Sequence, residues 1–234
     1  MLRSELATRR EEFDAHFALA RALEERMMFD DALGSINLSA RHINTIKSGL
    51  MVHLYNIEEA IMSRALQFLG DALDASNPRR WTEHTLKEWL RESVVSRSAE
   101  GSEDARLSTV YEKSSSLLNQ MIVGPQKFKK PPGTWDDKAI VKFTTRMNVV
   151  FEIPVAMRRR IALTPEYGDK TPLEFLAERR NAIAHGRRSF EDGAGDLDLS
   201  AIRRLADVTL DYLELAASAF QSHIENEAHL VPAS

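Results

Sequence analysis

The 234-residue sequence has no cysteine, and its ten glycines and eight prolines are few for a chain of this length. Without cysteine the chain can form neither a disulfide framework nor a thiolate metal site, which fits a reducing compartment. No apolar run approaches the roughly 20 residues that cross a bilayer. The first residues, MLRSEL, include an acidic side chain and no apolar core of a signal peptide. We therefore expect a cytoplasmic protein without a membrane partner.

Recognisable catalytic and metal-binding patterns are also scarce. The sequence has no glycine-rich phosphate loop and no G-x-S-x-G motif. Six of its seven histidines show no metal-ligand spacing with one another or with paired acids, so no metal site is predicted. These six are His16, His42, His53, His84, His223 and His229. The formal net charge is −4, so contact with a nucleic acid would require local basic clusters.

The sequence does contain helical periodicity in most segments, and no convincing strand alternation. Apolar residues make up 43% and charged residues 28%, as in ordinary globular proteins. We therefore predict an all-α helical bundle with additional helices and a Pro-rich loop at Val123–Gly133. A second loop is expected at Leu33–Leu38. The predicted helices are Arg3–Phe29, Ile43–Phe68, a short helix capped by Thr82 or Thr85, Asp104–Met121, Asp136–Met147, a short helix after Pro154, Thr171–His185 and Ser200–Glu227.

The helix from Ile43 to Phe68 is the most apolar of these elements. Its apolar residues step mostly by three and four, and others widen the face until only a narrow polar strip remains. Such a helix packs on more than one side. It is therefore either the centre of the bundle or part of a subunit interface.

The segment Arg180–Gly186 (RNAIAHG) closes the helix that Thr171 and Pro172 begin. At 100° per residue, Arg180 lies in the middle of an apolar face, where a guanidinium needs a carboxylate, a carbonyl or a phosphate. The apolar positions of this face are Leu173, Leu176, Ala177, Ile183 and Ala184. Arg179 lies off the face, so we expect its side chain to be solvated or to contact RNA.

A purely structural interpretation of this segment is also open. Arg180 can pair with Glu58 or Glu59 of the apolar helix, and a histidine suits a helix end because it interacts with the last carbonyl groups. Arg180 and His185 are five residues apart and point in different directions on an ideal helix. They can converge on one ligand only if the last turn unwinds or if a second copy supplies the partner.

Two segments together resemble a known family. Arg180–Gly186 looks like the Arg-x4–6-His motif of the HEPN superfamily in its RNxxAHG form, and Leu54–Ala60 (LYNIEEA) resembles the tyrosine- and acid-bearing early helix of toxin-like HEPN proteins. The resemblance covers roughly Ile43–Glu227. It divides a single domain, 1–234, into an N-terminal helical extension (1–38), an unmatched helical middle region (77–170) and the helices that carry and follow the motif (171–228).

The resemblance implies a homodimer in which two Arg–His motifs face one another across a cleft. Active members are metal-independent endoribonucleases that need no cofactor, found as toxins or defence effectors in the cytoplasm. A nucleotidyltransferase-type or other protein antitoxin is then a possible partner. The alternatives are a non-catalytic HEPN module that binds nucleotide, RNA or a protein, and a purely structural dimer.

In the enzyme that the resemblance implies, His185 is the general base or acid, and Arg180 binds the phosphate and stabilises its developing charge. Asn181 would orient a phosphate oxygen or the imidazole. Glu59 would hold Arg180, with Glu58 as the rival for that role and Tyr55 on the same helix. The expected products carry 2′,3′-cyclic phosphate and 5′-hydroxyl ends.

Two basic clusters are candidates for RNA contact. Lys127, Lys129 and Lys130 surround an aromatic residue, Phe128, so this loop could hold a single strand by charge and stacking. A second cluster could form a basic rim beside the motif. Its members are Arg158, Arg159, Arg160, Arg187 and Arg188. In both cases the alternative is an ordinary solvated surface.

Overall fold

The computed structural model describes residues 1–29, 38–95, 102–119, 126, 128–130 and 133–232. These ranges contain eight α-helices and two isolated β-bridges but no strand, so the all-α prediction is confirmed. Most of the predicted loops at Leu33–Leu38 and Val123–Gly133 lies outside the described residues. The helices are α1 (Leu2–Phe29), α2 (Ala40–Asp74), α3 (Glu83–Leu90), α4 (Glu103–Leu118), α5 (Asp137–Met147), α6 (Val155–Arg160), α7 (Pro172–Ala184) and α8 (Leu199–Glu225).

Side-chain caps explain where several of these helices begin. Thr82 is the N-cap of α3 and accepts a hydrogen bond from the Thr85 backbone N–H, so the alternative start at Thr85 is wrong. Thr171 caps α7 in a capping box with Glu174, and Pro172 occupies the first turn. The helix ends as predicted, with His185 as the C-cap and Gly186 in the left-handed region at φ 68°.

Helix α2 is the centre of the bundle. It packs against α1, α7 and α8, and it buries side chains on several of its faces, including Leu54, Tyr55 and Ile57. The first of the two explanations for its apolar character is therefore confirmed. Because its neighbours within the chain cover these faces, their composition is no longer an argument for a subunit interface.

The first and last helices complete this core together. Helix α1 packs on both α2 and α8, and its Leu2, Leu6 and Phe13 belong to the same apolar cluster as the α2 residues. The side-chain oxygen of Gln221 on α8 accepts hydrogen bonds from the N-terminal amino group of Met1, at 3.2 Å, and from the Arg3 backbone, at 3.3 Å. Among the described residues, no helix has the length and apolar character needed to span a membrane.

Candidate functional site

The contact between α2 and α7 surrounds the guanidinium of Arg180. Its Nη2 lies 3.2 Å from Glu59 Oε2, and its Nη1 donates to Asn181 Oδ1 at 3.2 Å. The guanidinium carbon is 4.6 Å from the centroid of the Tyr55 ring, which places the cation over an aromatic face. One quarter of the Arg180 side chain remains exposed. Three neighbours thus orient this cation, and part of it stays open to a ligand.

Lys130 joins the same group of charges. Its Nζ lies 2.6 Å from Glu59 Oε1, so the two oxygens of one carboxylate bind two different cations. The sequence suggested Lys130 only as an RNA-contacting loop residue. Its contact with Glu59 links positions 71 residues apart, which local spacing cannot show. Arg180, Glu59 and Lys130 together carry a net charge of +1.

Glu58 forms no hydrogen bond with this group. Its side chain is fully buried, and neither carboxylate oxygen has a hydrogen-bond partner in the described part of the chain. Burial, together with the nearby charges of Asp136 and Asp137, raises the pKa of Glu58 well above its ordinary value. The structure therefore selects Glu59 as the partner of Arg180, and the rival assignment to Glu58 is wrong.

Tyr55 forms the buried floor beneath Arg180. The residue is fully buried, and its hydroxyl accepts a hydrogen bond from the Trp135 backbone N–H at 3.3 Å. Burial and the nearby charges of Glu58 and Glu59 raise the pKa of Tyr55 to about 12. Its phenol therefore stays protonated at neutral pH, and its ring supports the guanidinium above it.

His185 lies at the open end of α7. The residue is exposed, and its backbone N–H donates to Asn181 O at 3.0 Å, which closes the helix. Its imidazole forms no hydrogen bond or ion pair with any described residue. Within the described part of the chain nothing therefore fixes the ring or occupies its nitrogen atoms, and the imidazole is not bonded to Arg180.

Arg179 differs from our expectation of a solvated side chain, which is wrong. The residue is buried, and its guanidinium donates to both carboxylate oxygens of Asp196, at 2.6 and 2.9 Å, and to Gly193 O at 3.0 Å. It also lies 4.8 Å from the Phe175 ring centroid. Burial alone would raise the pKa of Asp196, but the bonds and charge of Arg179 hold this pKa below its ordinary value.

The ion pair between Arg179 and Asp196 fastens the loop after α7 onto the helix. The loop returns over the side of α7 that the helical projection assigned to solvent. Of the five predicted apolar positions, Leu173, Leu176, Ala177 and Ile183 are buried, whereas Ala184 is exposed beside the end of the helix. The covered face of α7 is therefore rotated towards Arg179 relative to the prediction.

The predicted basic rim divides into separate contacts. Arg187 and Arg188 are exposed beside the motif, and Arg188 Nη1 donates to Asp192 O at 3.2 Å. Arg158 and Arg159 are exposed on α6, which packs on α8. The adjacent Arg160 lies 2.8 Å from an Asp211 carboxylate oxygen on α8. In the described ranges these α6 arginines make no hydrogen bond or ion pair with α7, so a joint rim stays a prediction.

The basic loop does not offer its aromatic residue for stacking. Phe128 is buried in the core, so the prediction that it stacks on a base is wrong. Lys129 is exposed, and Lys127 lies outside the described residues. The described residues also contain no group of three or more histidine or acidic side chains that could hold a metal ion.

Comparison with known protein families gives a match over almost the whole chain. A family model described as MAE_28990-like HEPN matches residues 1–229. The match includes α1, whereas the resemblance seen in the sequence began near Ile43. No curated protein and no solved structure matches the chain significantly. Because the family model covers nearly the whole sequence, the chain belongs to the MAE_28990-like HEPN family.

Proposed function

We propose that this protein is a metal-independent endoribonuclease whose active site combines Arg180 and His185 from two copies of the chain. The observation that supports the proposal is that α7 carries both an oriented arginine and, at its end, an exposed histidine. Arg180 is oriented by Glu59, Asn181 and the Tyr55 ring and remains partly open, whereas the exposed imidazole of His185 bonds to none of the residues that the structure describes. The first arrangement suits phosphate binding, and the second suits proton transfer.

The reaction that fits these groups is internal transesterification of RNA. The ribose 2′-oxygen attacks the adjacent phosphorus as its proton passes to a base. The bond from phosphorus to the 5′-oxygen breaks, and that oxygen receives a proton from an acid. The products are a 2′,3′-cyclic phosphate and a 5′-hydroxyl. Arg180 would stabilise the charge that accumulates on the phosphorane oxygens.

The two proton transfers are the reason for proposing a dimer. One transfer removes a proton from the 2′-hydroxyl and the other delivers one to the leaving oxygen, on opposite sides of the phosphorus. One chain provides a single histidine at this position. Two His185 side chains, one from each copy, would supply a base and an acid. We propose no metal in these steps.

Glu59 has a positioning role in this mechanism. Its Oε2 accepts a hydrogen bond from Arg180, and its Oε1 accepts one from Lys130. Because the group keeps a net positive charge, an RNA phosphate can bind without displacing Glu59. Lys130 would attract a neighbouring phosphate, and the exposed Lys129, Arg187 and Arg188 would extend this attraction along the strand.

The direct test is RNA cleavage in EDTA by the unchanged protein and by the Arg180→Ala and His185→Ala variants. Arg21→Ala, on an exposed arginine of α1, is the matched control. We expect cleavage by the unchanged protein and the control only, with 2′,3′-cyclic phosphate ends detected by mass spectrometry. Equal cleavage by all four proteins, or no cleavage of varied RNAs by any, would contradict the proposal.

The composite site has a separate test. Light scattering after size exclusion should show a dimer. Mixing the unchanged protein with an excess of the His185→Ala protein should lower the activity by more than dilution does, because a mixed dimer lacks one of the two histidines. A monomer with full activity would contradict the shared site and leave the nuclease assignment intact.

In the cell we propose that such an activity serves as a toxin or an anti-phage effector in the cytoplasm, held inactive by a protein antitoxin, for instance one of nucleotidyltransferase type. The second candidate is a non-catalytic HEPN module that binds nucleotide, RNA or a protein. The observation that favours it is that Arg180 already has a carboxylate partner, Glu59, within its own chain. RNA binding by the unchanged protein without cleavage, lost in Arg180→Ala, would select this candidate.

A further inference from the structure

Two histidines meet on the outer side of the contact between α1 and α2. The Nδ1 atoms of His16 and His53 are 3.1 Å apart, and the ring planes are inclined by 60°. The two residues are 37 positions apart in the sequence, so their spacing gave no indication of this contact. Neither residue contacts Arg180, Glu59 or His185, so the pair is separate from the candidate active site.

The separation of the two nitrogen atoms is close to that of two ligands on one metal ion. Zinc–imidazole bonds of about 2.0–2.1 Å at a tetrahedral angle place the two nitrogen atoms about 3.3 Å apart. Divalent nickel and copper also accept imidazole nitrogen, with a somewhat smaller angle between neighbouring ligands. A shift of a few tenths of an ångström between two side chains, one of them exposed, would admit such an ion.

The surroundings prepare His53 as a ligand. Its ring lies against Phe13, with centroids 5.9 Å apart, so the imidazole has a fixed place on the surface of the core. Burial and the neighbouring His16 lower the pKa of His53, as does Arg9, while Glu12 opposes them. The two Nδ1 atoms share one hydrogen bond, whose donor depends on the tautomer, and moving that proton to Nε2 of the donor ring leaves a lone pair on each Nδ1 for an ion. Glu12, one turn before His16, is paired with Arg9 at 3.4 Å, so these two charges largely offset each other beside the histidines.

We propose that His16 and His53 bind one divalent transition-metal ion, with Zn²⁺ as the expected occupant and water as its remaining ligands. Since the described residues contain no group of three protein ligands, the ion must keep water molecules. Bound there, the ion joins α1 to α2. It stabilises the folded chain and takes no part in the chemistry proposed for α7.

The experiment is titration of the full-length protein with ZnCl₂ at pH 7.5, followed by calorimetry and by thermal unfolding. The variants are His16→Gln and His53→Gln, with His84→Gln on the exposed side of α3 as the control. We expect one Zn²⁺ per chain and a Tm increase that EDTA reverses. Loss of a group that only orients a metal ligand costs about 10–100-fold in affinity. Loss of His16 should therefore weaken binding at least about tenfold, and loss of His84 should have no effect.

His16→Gln keeps the test decisive if the partly buried His53 proves necessary for folding. Every other histidine, including His185, remains in that variant, so a tenfold loss of affinity locates the ion at this pair. Equal Zn²⁺ affinity and an equal Tm increase in His16→Gln would overturn the proposal. The absence of any heat or Tm change in the unchanged protein would overturn it as well.

Discussion

Two pairs of adjacent residues of the same type lie where α2 meets α7, two arginines on α7 and two glutamates on α2. In each pair one side chain is buried and the other is partly exposed. Arg179 is buried in bonds to Asp196 and Gly193, while Arg180 is partly open above Tyr55. Glu58 is fully buried without a hydrogen-bond partner among the described residues, while Glu59 binds two cations at the surface. Consecutive helical residues differ by 100° in direction, which is enough to separate an inner from an outer environment.

This difference separates stability from function on the same two helices. Arg179 has its full set of partners inside the chain, so its effect should appear in the free energy of unfolding. Arg180 has partners that orient it and leave part of its surface free, so its effect should appear in RNA binding or cleavage. The same division applies to Glu58 and Glu59, and substitutions at the four positions can test it.

The largest expected effect is on catalysis. Replacing Arg180 by Ala removes the group that we propose to stabilise the phosphorane, and loss of one such donor costs about 100- to 1000-fold in rate. The free energy of unfolding should change by less than about 1 kcal/mol, because the ion pair with Glu59 is partly exposed. Single-turnover cleavage and urea unfolding measure the two quantities. A loss in the free energy of unfolding equal to that of an Arg179 variant would contradict the division of roles between Arg179 and Arg180.

Replacing Arg179 by Met should lower the free energy of unfolding more than it affects cleavage. The substitution leaves Gly193 O and Asp196 without their donor, at an expected cost of about 2–3 kcal/mol. The cost stays below that of a fully buried pair because the Asp196 side chain is 51% exposed and regains water. Urea unfolding against an Arg187→Met control, at an exposed position, checks this value. Unchanged stability would show that the loop is held by other contacts.

Glu58 provides a test through pH. Its pKa is raised by burial, so the folded chain keeps a proton that the unfolded chain loses above about pH 4.5. The stability linked to this proton is complete at lower pH and is lost as the pH rises towards the folded pKa. Relative to Glu58→Gln, the unchanged protein should lose up to about 1.4 kcal/mol for each pH unit. Unfolding of both proteins at pH 5, 6 and 7 measures the slope, and a constant difference would contradict it.

The smallest expected effect belongs to Glu59. Replacement by Gln keeps the shape and weakens the hold on Arg180 and Lys130, so the cleavage rate should fall about tenfold, or about 1.4 kcal/mol. Stability should change by less than about 1 kcal/mol, since both ion pairs are partly exposed. The Glu58→Gln protein, assayed at the same pH, is the control for rate. Equal rate losses in the two variants would remove the distinction between the inner and outer carboxylates.

Capped helix starts were the most predictable part of the fold, because their causes are local, whereas α2 continues to Asp74, six residues beyond the predicted Phe68. Thr82, Asp136 and Thr171 each cap the helix that follows, and Gly186 adopts the left-handed conformation that ends α7. The sequence did not decide whether Glu59 or Glu58 pairs with Arg180, since the two glutamates are adjacent on the same helix. Only the packing of α7 against α2 decides between them.

The wrong predictions have a different cause, because segments distant in the sequence bury the side chains concerned. Arg179 was expected in solvent because periodicity within α7 does not include the loop that carries Gly193 and Asp196. Phe128 was expected to be available for stacking because its neighbours are lysines, but it is buried in the core. The histidine pair escaped notice for the same reason, since His16 and His53 come together only through the packing of α1 on α2.

The contact of α1 with α8 has a consequence for synthesis on the ribosome. The apolar side chains of α1 pack against a helix that begins almost 200 residues later, so their final cover does not exist until α8 has emerged. Contacts of such sequence separation form late and slow the folding of a chain. The α2–α7 contact can assemble earlier than the closed core. A nascent chain halted before Leu199 would thus leave the side of α1 that α8 covers open to chaperones and proteases.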